Sequence, residues 1–122
     1  MVDGSKAKSA EEVLLDLALE GWRFQKLFSR ALTKLDAGEA LRFANQQRYF
    51  VRRIQESLQT VGIRLVAMEG EPYDTGSAVS AINLADFGPE DELVIDQMIE
   101  PIVMNDAGLM RPGTVTLRKA DK

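Results

Sequence analysis

Carboxylates are the residues of this sequence whose types and spacing come nearest to a catalytic arrangement. Glu69, Glu71 and Asp74 lie close together beside a turn that contains glycine and proline. A hydrolytic pair of the glycosidase kind requires two such groups to face a substrate across a cleft. The spacing of these three gives no sign of that arrangement, so we interpret the cluster as a solvated acidic loop.

Other kinds of chemistry lack their characteristic residues. The chain contains no cysteine and no histidine, which excludes disulfides, thiolate catalysis, Cys/His zinc sites and Ser-His or Cys-His catalytic groups. Gly70 and Gly76 do not have the spacing of a phosphate-binding loop. Glu90, Asp91 and Glu92 form an acidic run without the ligand series of an EF-hand. We therefore expect a protein that is not an enzyme and binds no cofactor or metal.

Charge is divided unevenly along the chain, whose formal net charge is −4. Residues 1–61 carry 10 basic and 8 acidic side chains, whereas residues 62–122 carry 5 basic and 11 acidic ones. The acidic second half argues against a nucleic-acid-binding surface there. No apolar run approaches the roughly 20 residues that span a bilayer. Together with the absence of cysteine, this favours a cytoplasmic protein that binds neither nucleic acid nor membrane.

A basic cluster lies in the first half of the chain, at Arg48, Arg52 and Arg53. We interpret it as the solvated face of a helix, with Arg52 paired to Glu56 one turn later. The alternative interpretation of these arginines is nucleic-acid binding, which we do not favour.

Two capping-box patterns mark the starts of two predicted helices. Ser9 with Glu12 forms the first, and Asp36 with Glu39 forms the second. Apolar residues then recur at spacings of three and four, as in a heptad seam. The first seam is Ala10, Leu14, Leu17, Gly21, Phe24, Phe28, Ala31 and Leu35; the second is Ala40, Ala44, Gln47, Val51, Ile54, Leu58 and Val61. The short connection predicts an antiparallel helical hairpin over residues 10–62, preceded by a polar tail over residues 1–9.

Each predicted helix carries an apolar face that is wider than one partner helix covers. A lone hairpin cannot bury two such faces, so the simplest arrangement is a four-helix bundle formed by two chains. Gln47 fits this interpretation because a buried polar residue often fixes helix register. The alternative is a monomer in which the C-terminal segment covers the excess face. The residues predicted at the dimer interface are Leu17, Phe24, Phe28, Leu35, Phe43, Gln47, Phe50 and Ile54.

The apolar period changes after Gly62, where a helix end is expected. Short alternating runs separated by turn residues then predict a small all-β domain over residues 63–119, followed by a tail over residues 120–122. The predicted strand runs are residues 63–68, 78–82, 93–95, 98–99 and 114–117, with an acidic turn at 86–92 and a hairpin turn at 105–108. Val115 and Leu117 are expected to face inwards. The predicted fold class is therefore α+β.

Two motifs lie near the two ends of this predicted β domain: Gly70-Glu71-Pro72-Tyr73-Asp74-Thr75, and Arg111-Pro112-Gly113-Thr114-Val115-Thr116-Leu117. Their order and separation resemble those of the GrpE family, the nucleotide exchange factors of DnaK-type chaperones. That family has a Gly-x-x-Phe-Asp-Pro turn and a final Arg-Pro-Ala-x-Val-x-Val strand. The sequence departs from the family at Thr75, where the family has proline, and at Ile102-Val103, where it has Gly-Tyr. The long N-terminal helix of the family is missing or reduced to a stub.

The resemblance implies a homodimeric co-chaperone that performs no covalent step. It would bind the ATPase domain of a DnaK-type chaperone and favour its open form, which weakens ADP binding by linkage. The positions that match the family's partner-facing surface are Tyr73, Asp74, Thr75, Met98 and Ile99. Tyr73 has an alternative role as a cover over the small β core. The alternative function for the whole chain is a dimeric scaffold or adaptor that binds another protein.

Overall fold

Two compact units follow one another along the chain, with the boundary between Gly62 and Ile63. The computed structural model describes residues 7–120, and the predicted tails at 1–9 and 120–122 lie largely outside them. The elements described are α1 (Ala10–Leu32), α2 (Ala37–Thr60), β1 (Ile63–Val66), β2 (Val79–Ala81), a 3₁₀ turn (Leu84–Asp86), β3 (Leu93–Glu100), β4 (Ile102–Asn105), β5 (Gly108–Arg111) and β6 (Gly113–Lys119). Two helices followed by a small β region confirm the predicted α+β class.

The capping box predicted at the start of α1 is confirmed. The Glu12 backbone N–H donates to the Ser9 hydroxyl at 3.1 Å, and the Ser9 N–H donates to the Glu12 carboxylate at 3.0 Å. Two backbone donors that α1 would otherwise leave without partners are thereby satisfied. The Ser9 N–H, followed by the Ser9 hydroxyl, favours the charged carboxylate and lowers the pKa of Glu12.

The second helix also begins and ends where its sequence signals lie. The Glu39 N–H donates to Asp36 Oδ1 at 2.9 Å, so Asp36 is the N-cap of α2. Gly62 follows the helix with a φ of 76°, a conformation that glycine adopts without steric cost. The first helix is shorter than its seam, since α1 ends at Leu32 and Leu35 lies in the connection.

The two helices form an antiparallel hairpin in which Gly21 permits close approach. A Cβ atom built on Gly21 would lie 2.8 Å from Ile54 Cδ1 and 3.2 Å from Phe50 Cζ. Nearer the connection, the rings of Phe28 and Phe43 meet edge to face with centroids 6.4 Å apart. The absence of a side chain at Gly21 therefore lets α2 lie against α1 at this level.

The predicted pairing of Arg52 with Glu56 is wrong. The Glu56 carboxylate lies 3.5 Å from Arg53 Nη1, while the Arg52 guanidinium lies over the ring of Tyr49, 5.8 Å from its centroid. Three-residue and four-residue spacings both bring helix side chains together, and the exposed ring of Tyr49 offers Arg52 another contact.

The β unit consists of two three-stranded sheets among the described residues. In the first sheet, β4 lies between β1 and β5 and is antiparallel to both. In the second, β6 lies between β2, to which it is parallel, and β3, to which it is antiparallel. The chain passes from the second sheet to the first at Pro101, which separates β3 from β4. The predicted hairpin at 105–108 is confirmed, and β5 begins at Gly108 with a φ of 123°.

Apolar side chains from both sheets form the core of the β unit. Val115 and Leu117 are buried, as predicted. The other buried apolar residues of this unit are Ile63, Ile95, Met98, Pro101, Ile102 and Val103. The two separate strand runs predicted at 93–95 and 98–99 are one strand, β3, with register shifts against β6 between Ile95 and Gln97 and between Met98 and Glu100.

Asn83 continues the second sheet beyond the end of β2. The Ile82 N–H donates to the Val115 carbonyl at 3.0 Å. At the next position, Asn83 Nδ2 donates to the Leu117 carbonyl at 3.0 Å and the Leu117 N–H donates to Asn83 Oδ1 at 2.8 Å. The side-chain amide thus takes the place of a strand backbone beside β6.

Candidate protein-binding surface

The segment at residues 70–73 is joined by hydrogen bonds to the edge of β3 that faces away from β6. The Gly70 N–H donates to the Ile95 carbonyl at 2.8 Å, and the Ile95 N–H donates to the Glu71 carbonyl at 2.9 Å. The Tyr73 N–H donates to the Leu93 carbonyl at 3.0 Å. Gly70 has a φ of 85°, which only glycine adopts readily. The position of Tyr73 is therefore fixed by the sheet rather than by a free loop.

Asp74 shapes the turn that follows. Its Oδ1 accepts a hydrogen bond from the Gly76 N–H at 2.7 Å, and its own N–H donates to the Ser77 hydroxyl at 3.2 Å. The Ser77 N–H closes the turn on the Asp74 carbonyl at 3.0 Å. Asp74 and Thr75 are both exposed at the tip. The carboxylate thus has a structural role in the turn as well as a position on the surface.

A groove lies beside this turn. Its volume is about 700 Å³, and it is bounded by the turn, the loop that precedes β3 and the start of β3. The residues that line it are Pro72, Tyr73, Asp74, Thr75, Leu84, Gly88, Pro89, Asp91, Glu92, Leu93, Val94 and Ala120. Three of the predicted partner-binding residues, Tyr73, Asp74 and Thr75, are therefore brought together at one concave surface. Tyr73 is half-buried, and its alternative role as a cover over the β core stays a prediction.

The prediction that Met98 is exposed beside Ile99 is wrong. Met98 is 1 % exposed and belongs to the core, whereas Ile99 is 44 % exposed. The cause is the irregular register of β3. Strict alternation would place Ile95 and Gln97 on one side of the strand, but the extra residue turns Ile95 and Met98 to the core instead. Ile99 remains available to a partner and Met98 does not.

The acidic residues that drew attention in the sequence are used in different ways. Glu69 Oε2 accepts a hydrogen bond from the Met98 N–H at 3.4 Å, while Glu71 contributes its backbone carbonyl to the pairing with β3. Asp91 Oδ2 accepts a bond from the Gly88 N–H at 2.8 Å. The loop between Pro89 and β3 places Asp91 and Glu92 beside the Tyr73 turn. Their sequence positions did not predict this, because the turn and the loop are far apart along the chain.

A second groove lies on the helical hairpin and coincides with much of the predicted dimer interface. Its volume is about 890 Å³, and Leu17, Phe24, Leu27, Phe50 and Ile54 are among its walls. Leu17 and Phe24 are 69 % and 62 % exposed. Phe28 and Ile54 are half-buried, and Leu35, Phe43 and Phe50 are exposed. The apolar residues that line the groove thus form a patch rather than singly scattered exposed side chains.

Gln47 differs from the rest of the predicted interface, because its amide is bonded within its own hairpin. Its Nε2 lies 2.7 Å from the Gln25 carbonyl oxygen and 2.6 Å from the Ser29 hydroxyl. Gln47 therefore links α2 to α1 of the same chain, and the register that it fixes is that of the hairpin.

No protein-family model, curated protein or solved structure matches this chain. Within residues 7–120, neither helix has the length and apolar character that crossing a bilayer requires. The same residues contain no group of three or more histidine, cysteine, aspartate or glutamate side chains placed to hold a metal ion. The geometry of the two grooves is thus the basis for a functional proposal.

Proposed function

We propose that the protein is a GrpE-like co-chaperone that promotes ADP release from the ATPase domain of a DnaK-type chaperone in the cytoplasm. The observation that carries this proposal is the arrangement around β3. The Gly70–Tyr73 part of the first motif is bonded along one edge of β3, and the strand of the second motif, β6, is paired with the other. The two segments that resemble the family thus lie in one sheet.

In this proposal the chain acts by binding and performs no covalent step. It binds the open form of the ATPase domain more tightly than the closed form, so ADP affinity falls by the same factor. Couplings of this kind typically change affinity by about 5-fold to 150-fold. The surface offered to the chaperone is that of Tyr73, Asp74, Thr75 and Ile99. Met98 lies in the core and is not part of that surface.

We further propose that the active form is a homodimer with a four-helix core. The support is the exposed apolar groove lined by Leu17, Phe24 and Phe50. A second hairpin laid on this groove removes those side chains from water, at about 25 cal/mol for each Å² of apolar surface. Glutamate in place of Phe24 would put a charge into that interface without disturbing the interior of the single chain.

Sedimentation at micromolar concentration tests the dimer, which should have about twice the 13.5 kDa mass of the chain. Phe24→Glu is expected to give a folded monomer. Leu41→Glu is the matched control, because Leu41 is also 62 % exposed and does not line the groove. A wild-type monomer, or equal dissociation by both variants, would contradict the proposal.

Exchange activity is tested by the release of labelled ADP from a DnaK-type chaperone with and without this chain. We expect faster release, and Tyr73→Ala should reduce the effect by weakening chaperone binding about 5-fold to 30-fold. Ile99→Ser should act in the same direction. A folded dimer that leaves ADP release unchanged would contradict the exchange function.

A dimeric adaptor that binds another protein is the second candidate, and one observation favours it. Where the family has Gly-Tyr, this chain has Ile102 and Val103, and both are buried in the first sheet. The surface near the final hairpin therefore lacks the tyrosine of the family. If ADP release is unchanged while the dimer stays intact, the adaptor function is better supported than the exchange function.

A further inference from the structure

The groove beside Tyr73 combines apolar walls with acidic groups. Pro72, Tyr73, Leu84 and Pro89 supply apolar surface, and Leu84 is exposed despite its hydrophobic side chain. The carboxylates among its lining residues are those of Asp74, Asp91 and Glu92. A groove of this kind suits a side chain that has an apolar stem and a positively charged end.

The three carboxylates differ in the hydrogen bonds and ion pairs that they form within the chain. Asp74 bonds to the Gly76 N–H and Asp91 to the Gly88 N–H. Asp91 also lies 3.9 Å from the exposed Lys119 ammonium, which shows that a cation is accommodated at this rim. The Glu92 side chain is exposed, and none of the hydrogen bonds or ion pairs described for residues 7–120 involves its carboxylate. Glu92 is therefore the group most available to an incoming cation.

The charge around the groove has the same sign as that of the surrounding sequence. Residues 62–122 carry 11 acidic and 5 basic side chains, so the β unit attracts a positively charged segment during encounter. Within the groove, the planar guanidinium of arginine gains most, because it stacks on aromatic rings and binds carboxylates through paired donors.

We propose that this groove receives an arginine side chain from an extended basic segment of the partner protein. The methylene stem lies against Tyr73 and the flanking prolines, and the guanidinium reaches Glu92. This inference rests on the proposed function, in that it names what the bound chaperone domain presents at the Tyr73 turn.

A peptide titration tests the groove without any chaperone. The probe is the blocked peptide acetyl-Ala-Leu-Arg-Leu-Ala-amide, added to the ¹⁵N-labelled full chain, with the citrulline peptide as an uncharged control. We expect saturable amide shifts at Tyr73, Glu92 and Leu93 with the arginine peptide and binding about 1.4-fold to fivefold weaker with citrulline, the range expected of an exposed ion pair. Equal binding of both peptides, or shifts that avoid these residues, would overturn the proposal.

A pair of variants identifies which carboxylate contributes to binding of the arginine peptide. Glu92→Gln should lower affinity for the arginine peptide about 1.4-fold to fivefold. Glu90→Gln removes the same charge from the same loop, but Glu90 does not line the groove, so this control should leave affinity unchanged. If the two variants lower affinity equally, general attraction by the acidic unit explains the binding and the arginine site is wrong.

The same variants, measured against the chaperone ATPase domain, separate the two proposals. Selective arginine-peptide binding with no chaperone binding supports the groove and rejects the exchange function. Chaperone binding that is equally affected by Glu92→Gln and Glu90→Gln, with no preference between peptides, supports the exchange function and rejects the groove.

Discussion

Replacing Asn83 by alanine should destabilise the β unit strongly, although the side chain belongs to no strand. The amide of Asn83 makes two hydrogen bonds to Leu117, at 3.0 and 2.8 Å, and the Leu117 side chain is buried. Alanine removes both bonds and leaves a backbone N–H and a carbonyl of β6 without these partners. Each bond contributes about 0.5–1.5 kcal/mol net, and a buried group left unsatisfied costs more. We therefore expect a loss of about 2–3 kcal/mol in the free energy of unfolding of this unit.

The assay must report on the β unit specifically. The one tryptophan of the chain, Trp22, lies in α1, so its fluorescence follows the helical unit. Amide hydrogen exchange at Leu117 reports directly on β6. A loss of 2–3 kcal/mol corresponds to an exchange rate that rises about 30-fold to 150-fold. Urea unfolding followed by the amide signals of β6 gives the same free energy independently.

Asn105→Ala is the matched control. Asn105 Oδ1 accepts a single hydrogen bond, from the Ala107 N–H at 2.9 Å in the exposed hairpin turn. Its loss should therefore be less than half that of Asn83→Ala. If Asn83→Ala lowers the urea midpoint no more than Asn105→Ala does, and exchange at Leu117 is unchanged, then water replaces the amide of Asn83 and the argument fails.

Three further changes test other parts of the structure. Gly113→Ala should lower the free energy of unfolding by about 1–3 kcal/mol, measured by urea unfolding, because the new Cβ would lie 3.1 Å from the Glu100 backbone oxygen. The pKa of Glu12 is lowered from its ordinary value of 4.5, so its contribution to the start of α1 is present above pH 4.5 and is lost as the pH falls through the lowered value. In an NMR titration the chemical shift of the Ser9 amide proton should change over that window, and a constant chemical shift would contradict this. Asp74→Asn keeps the oxygen acceptor that closes the turn, so it should reduce only the salt-dependent association rate, measured by stopped-flow binding. Asp74→Ala should also loosen the turn, because it removes that acceptor. Equal effects of the two variants would show that the hydrogen bond in the turn is unimportant.

The helical unit could be predicted closely because its signals are local. The caps at Ser9 and Asp36 and the glycine at position 62 each act on the backbone within a few residues, and the structure places both helix starts and the second helix end at those residues. Side-chain pairing within and between the helices was less predictable from the sequence. The contacts of Arg53 with Glu56 and of Gln47 with Gln25 depend on side-chain rotamers and on the rotation of each helix.

The β unit contains features that its sequence does not predict. Alternation predicts which residues of β6 face inwards, because β6 is regular, but β3 contains register shifts that no single residue announces. The assignment of Met98 to the surface came from the family resemblance, and it is wrong because these shifts turn Met98 to the core. The bridge from Asn83 to Leu117 and the approach of Glu92 to Tyr73 join residues far apart in the chain, so they depend on the completed fold.

The hydrogen bonds of the Tyr73 turn bear on how a partner would bind there. Residues 70–73 are attached to β3 by three backbone bonds, and the bonds of Asp74 with Gly76 and Ser77 close the tip. Binding to a segment already held in this way requires little ordering of the backbone, which would otherwise cost about 1–2 kcal/mol for each residue fixed. An exchange factor has to release its chaperone after each cycle, so its affinity must come from a modest contact area. A preformed turn with one aromatic residue beside an acidic groove would meet that requirement of the proposed function, whereas a turn that became ordered only on binding would need a larger interface for the same affinity.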